Sequence, residues 1–205
     1  MKIIVNTQSS IRIETEGKVI YVDPFEIKID SHDADAIFFT HAHYDHFSEK
    51  DFSRLVKDDT VFAAPESMEK ETKGLNAVLF RPEECKEVCG IRVEAIRAYN
   101  PHKLFHPKRN NWLGYVLTVE GERIYICGDT DCTNEAKAVS CDTIILPAGG
   151  KYTMNYEEAA ELVNAIKPKR AIPTHYGTII GEKDEGEKFA ALVNPDTAVE
   201  FRLNF

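Results

Sequence analysis

The feature that most restricts this chain is the run Thr40-His41-Ala42-His43-Tyr44-Asp45-His46, which follows directly on the apolar stretch Ala36-Ile37-Phe38-Phe39. A short, wholly apolar run is the pattern of a strand buried on both faces. The polar run therefore sits where a core strand ends and the chain turns. Three of the seven histidines in the sequence, with one aspartate, fall within residues 41–46. A solvated, histidine-rich turn is the plain alternative. Imidazole and carboxylate at this density, at the end of a core strand, are instead the donor set for zinc, iron or manganese. Alternate residues of an extended segment project to one side. His41 and His43 can thus face one ion, while Asp45 and His46, past a bend, reach a second.

Two later segments repeat the arrangement. Cys127-Gly128-Asp129-Thr130-Asp131 and Pro173-Thr174-His175-Tyr176-Gly177 each follow an apolar strand. Gly128 permits close backbone approach there. Ligands of open α/β proteins gather at such strand ends, so Asp129 and His175 join the candidate metal ligands.

The surrounding pattern predicts strands over 2–5, 10–15 and 18–22, with a turn at Glu16-Gly17. Asp23-Pro24 ends that run, because proline cannot continue a central ladder. Ser48 offers an N-cap to a helix running to about 57. A strand over 61–63, a helix over 65–73 between Pro65 and Gly74, and a strand over 77–80 follow. Residues 87–88 and 91–98 read as a hairpin around Gly90. A long loop occupies 99–113, and a second hairpin over 115–120 and 123–127 turns at Gly121. The last third alternates: strand 142–146, helix from Asn155 to about 167 with Glu158 placed for a capping box, strand 170–173, helix 182–193 and strand 198–203. A β-rich half followed by αβ units thus occurs twice. Two similar halves with facing sheets and outer helices make an α/β four-layer αββα sandwich. No stretch resembles a linker, so residues 1–205 are expected to form one domain.

Composition narrows the function. The five cysteines are an odd number, which argues against a disulfide framework. Cys85 and Cys89 lack a second pair to complete a structural zinc site. The N-terminus lacks the apolar stretch of a signal peptide, and no run approaches the roughly 20 residues of a membrane span. A cytoplasmic protein is the expectation, with no membrane partner. The net charge of −9 counts against a general nucleic-acid binder.

The His-Ala-His-Tyr-Asp-His run, Asp23 in Val22-Asp23-Pro24, Asp129 in Gly-Asp-Thr and His175 together resemble the metallo-β-lactamase superfamily, in the right order along nearly the whole chain. The compact length and the Gly-Asp-Thr-Asp run are most similar to the small metal-dependent hydrolases related to ascorbate-6-phosphate lactonase. The resemblance implies that His41 and His43 bind a first ion, that Asp45, His46 and His175 bind a second, and that Asp129 bridges both. It makes Asp23 a buried hydrogen-bonding support. One position departs. The superfamily usually supplies another first-site histidine just after the strand at 91–98, and here Asn100 stands there. His102 and His106 are nearby candidates; a loop of this length can fold back on the site, which favours His106.

Two divalent ions, zinc foremost with manganese or iron as alternatives, lower the pKa of a shared water toward about 7. The expected function is a metal-dependent hydrolase whose metal-bound hydroxide cleaves an ester, lactone or phosphoester. Asp45 is the candidate to orient that water or accept its proton. Asp131 either shares this role or caps the helix starting near Thr133. No Asp or Glu occurs between Arg97 and Val119, while Lys103, Lys108 and Arg109 alternate there with Phe105 and Trp112. That loop is expected to roof the site and select a small anionic substrate, unless it is a solvated loop whose aromatics cover the core. A phosphodiesterase acting on nucleotides or nucleic acid, and a non-hydrolytic metal-binding or redox module, are the rival readings. The chain is acidic and short for the first, and histidine-rich without a fused domain for the second.

Overall fold

The computed structural model describes residues 1–15 and 17–204. Of the expected turn at 16–17, Glu16 lies outside the described residues; Gly17 has the positive φ of +75° that a tight turn requires. The first sheet holds Lys2–Val5 (β1), Ile11–Thr15 (β2), Lys18–Val22 (β3), Ala34–Phe38 (β4), Val56–Pro65 (β5) and Ala77–Phe80 (β6), side by side in chain order. Its first three strands are antiparallel and the rest run parallel from β3 onward. The second sheet holds Cys85–Val88 (β7), Ile91–Arg97 (β8), Leu113–Val119 (β9), Glu122–Ile126 (β10), Thr143–Pro147 (β11), Arg170–Thr174 (β12) and Ala198–Val199 (β13), again in chain order. It is antiparallel through β10 and parallel from β10 to β13. The repeated hairpin-then-αβ order of the sequence is thus repeated in the sheets.

Period-two alternation decides which side chains lie between the sheets. Ile13, Ile20, Ala36 and Phe38 of the first sheet and Leu117, Ile124 and Ile145 of the second form one buried cluster. Their neighbours point the other way. Ile37 and Phe39 join Phe52, Leu55 and Met68 outside the first sheet. Ile144 and Leu146 join Ala159, Leu162 and Val163 of Tyr156–Ile166 (α3) outside the second. Glu49–Phe52 (α1) covers the first sheet, while Asn134–Lys137 (α2), α3 and Glu185–Leu192 (α4) lie on the second. The layer order is αββα, as the element pattern predicts. The Ala36–Phe38 end of β4 and the Ile144–Leu146 run of β11 bury both faces, which is why these stretches are apolar without alternation.

The helices of the first half are where the expectation fails. The helix expected over 48–57 is only Glu49–Phe52, and the one over 65–73 is a single 3-10 turn, Glu66–Met68. Ser48 does not cap: its hydroxyl donates to the Asp51 carboxylate at 2.5 Å, which also accepts from the Ile27 amide. β5 starts at Val56 and takes the residues that a longer α1 would need. After Met68, the Thr72 hydroxyl donates back to the Met68 carbonyl, a local bond that competes with helix continuation. The second half follows expectation more closely. Asn155 and Glu158 form the expected capping box, and α3 ends at Lys167 in the left-handed region. The final strand is shorter than expected, at Ala198–Val199, and α4 begins at Glu185. Among the described residues no helix is long and apolar enough to cross a membrane.

Phe38 joins the sheets, with its ring edge-on to Tyr115 of β9 at 5.4 Å between centroids. Replacing Phe38 by Ala should lower unfolding free energy by about 3–5 kcal/mol, read as an earlier urea midpoint with unchanged slope; a loss under about 1 kcal/mol would mean that the sheets are joined elsewhere.

Candidate metal centre

Strand direction brings the polar segments to one edge. β3 and β4 run parallel with Val22 beside Phe38, so Asp23 and the 40–46 turn leave the first sheet together. β10, β11 and β12 run parallel with Ile126 beside Ile145 and Pro147 beside Thr174. The segments carrying Asp129, Gly149 and His175 therefore leave the second sheet at one edge as well. Gly128 lets the two edges touch: a Cβ there would lie 2.9 Å from the Leu113 carbonyl oxygen and 3.1 Å from the Thr40 Cβ. Its φ of +63° adds a second reason for glycine.

Seven side chains meet there in two groups whose donor atoms lie close enough to share an ion: His41, His43, His106 and Asp129, and beside them Asp45, His46 and His175. In the first, His41 Nε2 is 3.0 Å from His43 Nδ1 and 3.8 Å from Asp129 Oδ2, which is 3.2 Å from His106 Nε2. In the second, Asp45 Oδ2 is 3.7 Å from His46 Nε2 and 3.5 Å from His175 Nε2. Asp129 faces both groups, since its Oδ1 lies 3.3 Å from His46 Nε2. With metal–nitrogen bonds of about 2.0–2.1 Å, two ligands on one tetrahedral ion sit roughly 3.3 Å apart. The observed separations bracket that edge. His46 Nε2, His106 Nε2, His175 Nε2 and Asp129 Oδ1 are buried without a hydrogen-bond partner. Such orphans are rare and costly unless something else satisfies them. The residues fit a pair of metal ions.

The ring nitrogens that face away from the centre fix the orientation of those that face it. Asp23 accepts from the Thr40 amide at 2.8 Å, from the Thr40 hydroxyl at 2.6 Å and from His46 Nδ1 at 2.7 Å. The Thr40 oxygen accepts in turn from His41 Nδ1 at 3.0 Å. His106 Nδ1 donates to the Asn100 side-chain oxygen at 2.6 Å, and the Asn100 amide donates to Asp131 at 2.8 Å. Each bond assigns its proton to Nδ1 and leaves Nε2 turned inward, the arrangement that orients metal-binding histidines elsewhere. Asn100, standing where the superfamily places a histidine, holds the histidine that comes from the loop.

The surroundings pull His41 and His43 one way and His46 and His175 the other. Burial pushes the His41 imidazole well below its ordinary value, with His46 adding to the effect. Burial and His106 lower His43. In the second group burial also disfavours charge, but Asp129 and Asp23 outweigh it and hold His46 well above the ordinary value. Asp129 and the Asp45 carboxylate 3.5 Å away raise His175 as well. Burial would raise Asp129, yet His175 and His46 keep its carboxyl well below the usual range.

All seven residues anticipated as ligands are therefore brought together, and His106 rather than the exposed His102 is the loop's contribution. Two other expectations are corrected. Asp131 does not cap α2, since the Thr133 hydroxyl accepts from the Ala136 amide instead. Nor do the loop cations face the site. Lys103 is held by Asp131 at 2.5 Å and the Thr153 carbonyl at 2.7 Å, and Lys108 by Glu135 at 2.7 Å. Arg109 is exposed and lies outside the residues lining the cleft over the ligands. That cleft holds about 330 Å³ and is walled by Tyr44, Phe105, Tyr152, Ile179 and Ile180, with Lys151 its one lysine or arginine. Trp112 closes the other side of the ligands, 4.9 Å from the rings of His41 and His43. Sequence reasoning missed the segment Gly149-Gly150-Lys151-Tyr152. Its glycine pair after an apolar strand was the available signal. A Cβ on Gly149 would collide with the His175 carbonyl, so that glycine sets how closely the His175 loop approaches.

Comparison with known proteins agrees with this geometry. Residues 2–175 match the family profile described as the beta-lactamase superfamily domain. A UPF0173 metal-dependent hydrolase of Thermoplasma acidophilum is 35% identical over 185 residues, 87% of this chain and 79% of that protein. A metal-dependent hydrolase candidate of Parabacteroides distasonis superposes with a TM-score of 0.88 at 29% identity, covering 98% of this chain and 93% of the other. The metallo hydrolase Igni18 of Ignicoccus hospitalis shares the fold, with a TM-score of 0.79 at 20% identity over 98% of this chain and 94% of its own. The chain belongs to the beta-lactamase superfamily, among the metal-dependent hydrolases of the metallo-β-lactamase fold.

Proposed function

We propose that the two ligand groups hold two divalent ions, zinc foremost, and that the protein hydrolyses an ester, lactone or phosphoester of a small anionic substrate. The observation that carries this reading is the set of buried, unpartnered nitrogen and oxygen atoms aimed at one centre. His and Asp donors also accept manganese and iron. When bound, the ions supply Lewis acidity, which makes water a nucleophile near neutral pH and polarises the oxygen that gains charge. Asp129 sits between the groups, with Oδ1 near His46 and Oδ2 near both His106 and His175. Asp45 lines the cleft and has its Oδ2 near His46 and His175. It is kept ionised: burial works against the charge, but the neighbouring His175 and His46 rings prevail. A carboxylate so placed orients the attacking water or takes its proton. The cleft volume of about 330 Å³ suits a small molecule. Lys151 at its wall favours an anionic one.

Elemental analysis with a screen of phosphoesters, lactones and thioesters tests the reading. His46→Ala should release one ion per chain and cut turnover by more than about 100-fold, beyond what residues that merely hold ligands supply. Full metal content and turnover in that variant would end the assignment. Asn100→Ala, which frees the His106 ring, should weaken metal binding about 10- to 100-fold with little change in Tm; unaltered affinity in a chelator competition would show that His106 is held otherwise. Asp45→Asn should lower kcat by roughly 10²–10⁴, and a kcat within a factor of about three would remove Asp45 from the chemistry.

A further inference from the structure

The segment after β11 turns sharply to reach the cleft. Gly150 and Lys151 both have positive φ, +70° and +56°. At the second position glycine would be the less strained choice, and a lysine stands there. The turn is pinned on several sides. Gly150 donates to the Met154 carbonyl at 2.9 Å, Thr153 to the Gly150 carbonyl at 3.2 Å, and Lys103 to the Thr153 carbonyl at 2.7 Å. What it presents is Lys151, whose ammonium lies 5.0 Å from the centre of the Tyr152 ring, and Tyr152, which meets Phe105 edge-on at 4.6 Å. Unlike Lys103 and Lys108, Lys151 forms no salt bridge among the described residues. The pinned turn fixes Lys151 at the wall of the cleft.

We propose that Lys151 is a specificity-determining residue that pairs with an anionic group of the substrate remote from the scissile bond, and that Phe105, Tyr152 and Ile179 hold an apolar body between that anion and the metal ligands. The substrate class is thus an amphiphilic one: an aromatic or branched aliphatic ester, lactone or phosphoester carrying a carboxylate or phosphate at its far end. A Lys ammonium is a compact point charge on a long stem and accepts either anion. Phe105 and Ile179 are exposed at the cleft wall, where an apolar body would cover them. This inference rests on the hydrolase reading above, because it takes the ligand groups as the place where the substrate reacts.

Binding of hydroxamates to the zinc-loaded protein, followed by calorimetry, separates the two. The probes are benzohydroxamate and its 4-carboxy, 4-phosphonomethyl and 4-carbamoyl derivatives, whose hydroxamate end chelates the metal. Either anionic derivative should bind about 1.5- to 5-fold more tightly than the neutral amide, the range of a partly exposed charge pair. The stronger of the two identifies the anion. Lys151→Met should abolish that advantage while leaving affinity for the amide, zinc content and Tm unchanged. Lys151→Arg should retain it. Phe105→Ala should weaken benzohydroxamate and leave acetohydroxamate unaffected. Equal affinities of anionic and neutral probes, or a Lys151→Met protein that still discriminates, would overturn the role of Lys151 while the hydrolase reading stands. Failure of every hydroxamate to bind would overturn the cleft over the ligands as the substrate site, and the inference with it.

Discussion

The rest of the structure depends on the buried bond between the Asp23 carboxylate and the His46 ring, 2.7 Å long and shut off from solvent. Asp23 sits at the end of β3 with a left-handed backbone, φ +46°, and its amide donates to the Phe38 carbonyl. Its two oxygens gather the Thr40 amide, the Thr40 hydroxyl and His46. One carboxylate therefore ties the ends of two adjacent strands to the turn that carries four of the ligands. Burial pushes the Asp23 carboxyl up, and His46 draws it only part of the way back. A buried charge that loses its partner is far costlier than either group alone in water. The pair is thus committed to staying intact, and the 40–46 turn inherits that rigidity.

Around this pair lies a concentration of polar atoms that folding alone does not reward. Four inward-facing atoms have given up water without finding a hydrogen bond. The cost is carried by the apolar layer between the sheets, where β4, β9 and β11 bury side chains almost completely. Their stiffness is also what allows ligand atoms from separate connections to hold separations of 3.2–3.8 Å. The same core that makes the fold stable makes the unfavourable cluster tolerable.

How legible this was in the sequence varied with whether a signal was local. Most of the strands and six of the seven ligands could be read because each of those six ligands follows an apolar run whose burial the residues declare. The short α1 could not be read. Ser48 looks like a cap, and only the fold reveals that Asp51 takes its hydroxyl and the Ile27 amide instead. The loop cations misled for a similar reason. Lys103 and Lys108 are neutralised by Asp131 and Glu135, which are 28 and 27 positions away along the chain. A window holding no carboxylate of its own therefore looked like a free positive surface. His106 was recoverable only as a matter of reach, since its orientation comes from Asn100, six positions earlier, where the chain doubles back.

The two halves repeat one architecture, yet they furnish ligands differently. The first concentrates His41, His43, Asp45 and His46 in a single turn, whereas the second distributes His106, Asp129 and His175 over three separate connections. Any insertion in the first turn would displace four donors at once. A change in one connection of the second half displaces a single donor and reshapes only the wall beside it. The seam between the halves thus has an invariant side and an adaptable side. The adaptable side also carries Phe105, Lys151, Tyr152, Ile179 and Ile180, so remodelling for new substrates is open there without disturbing the anchor opposite.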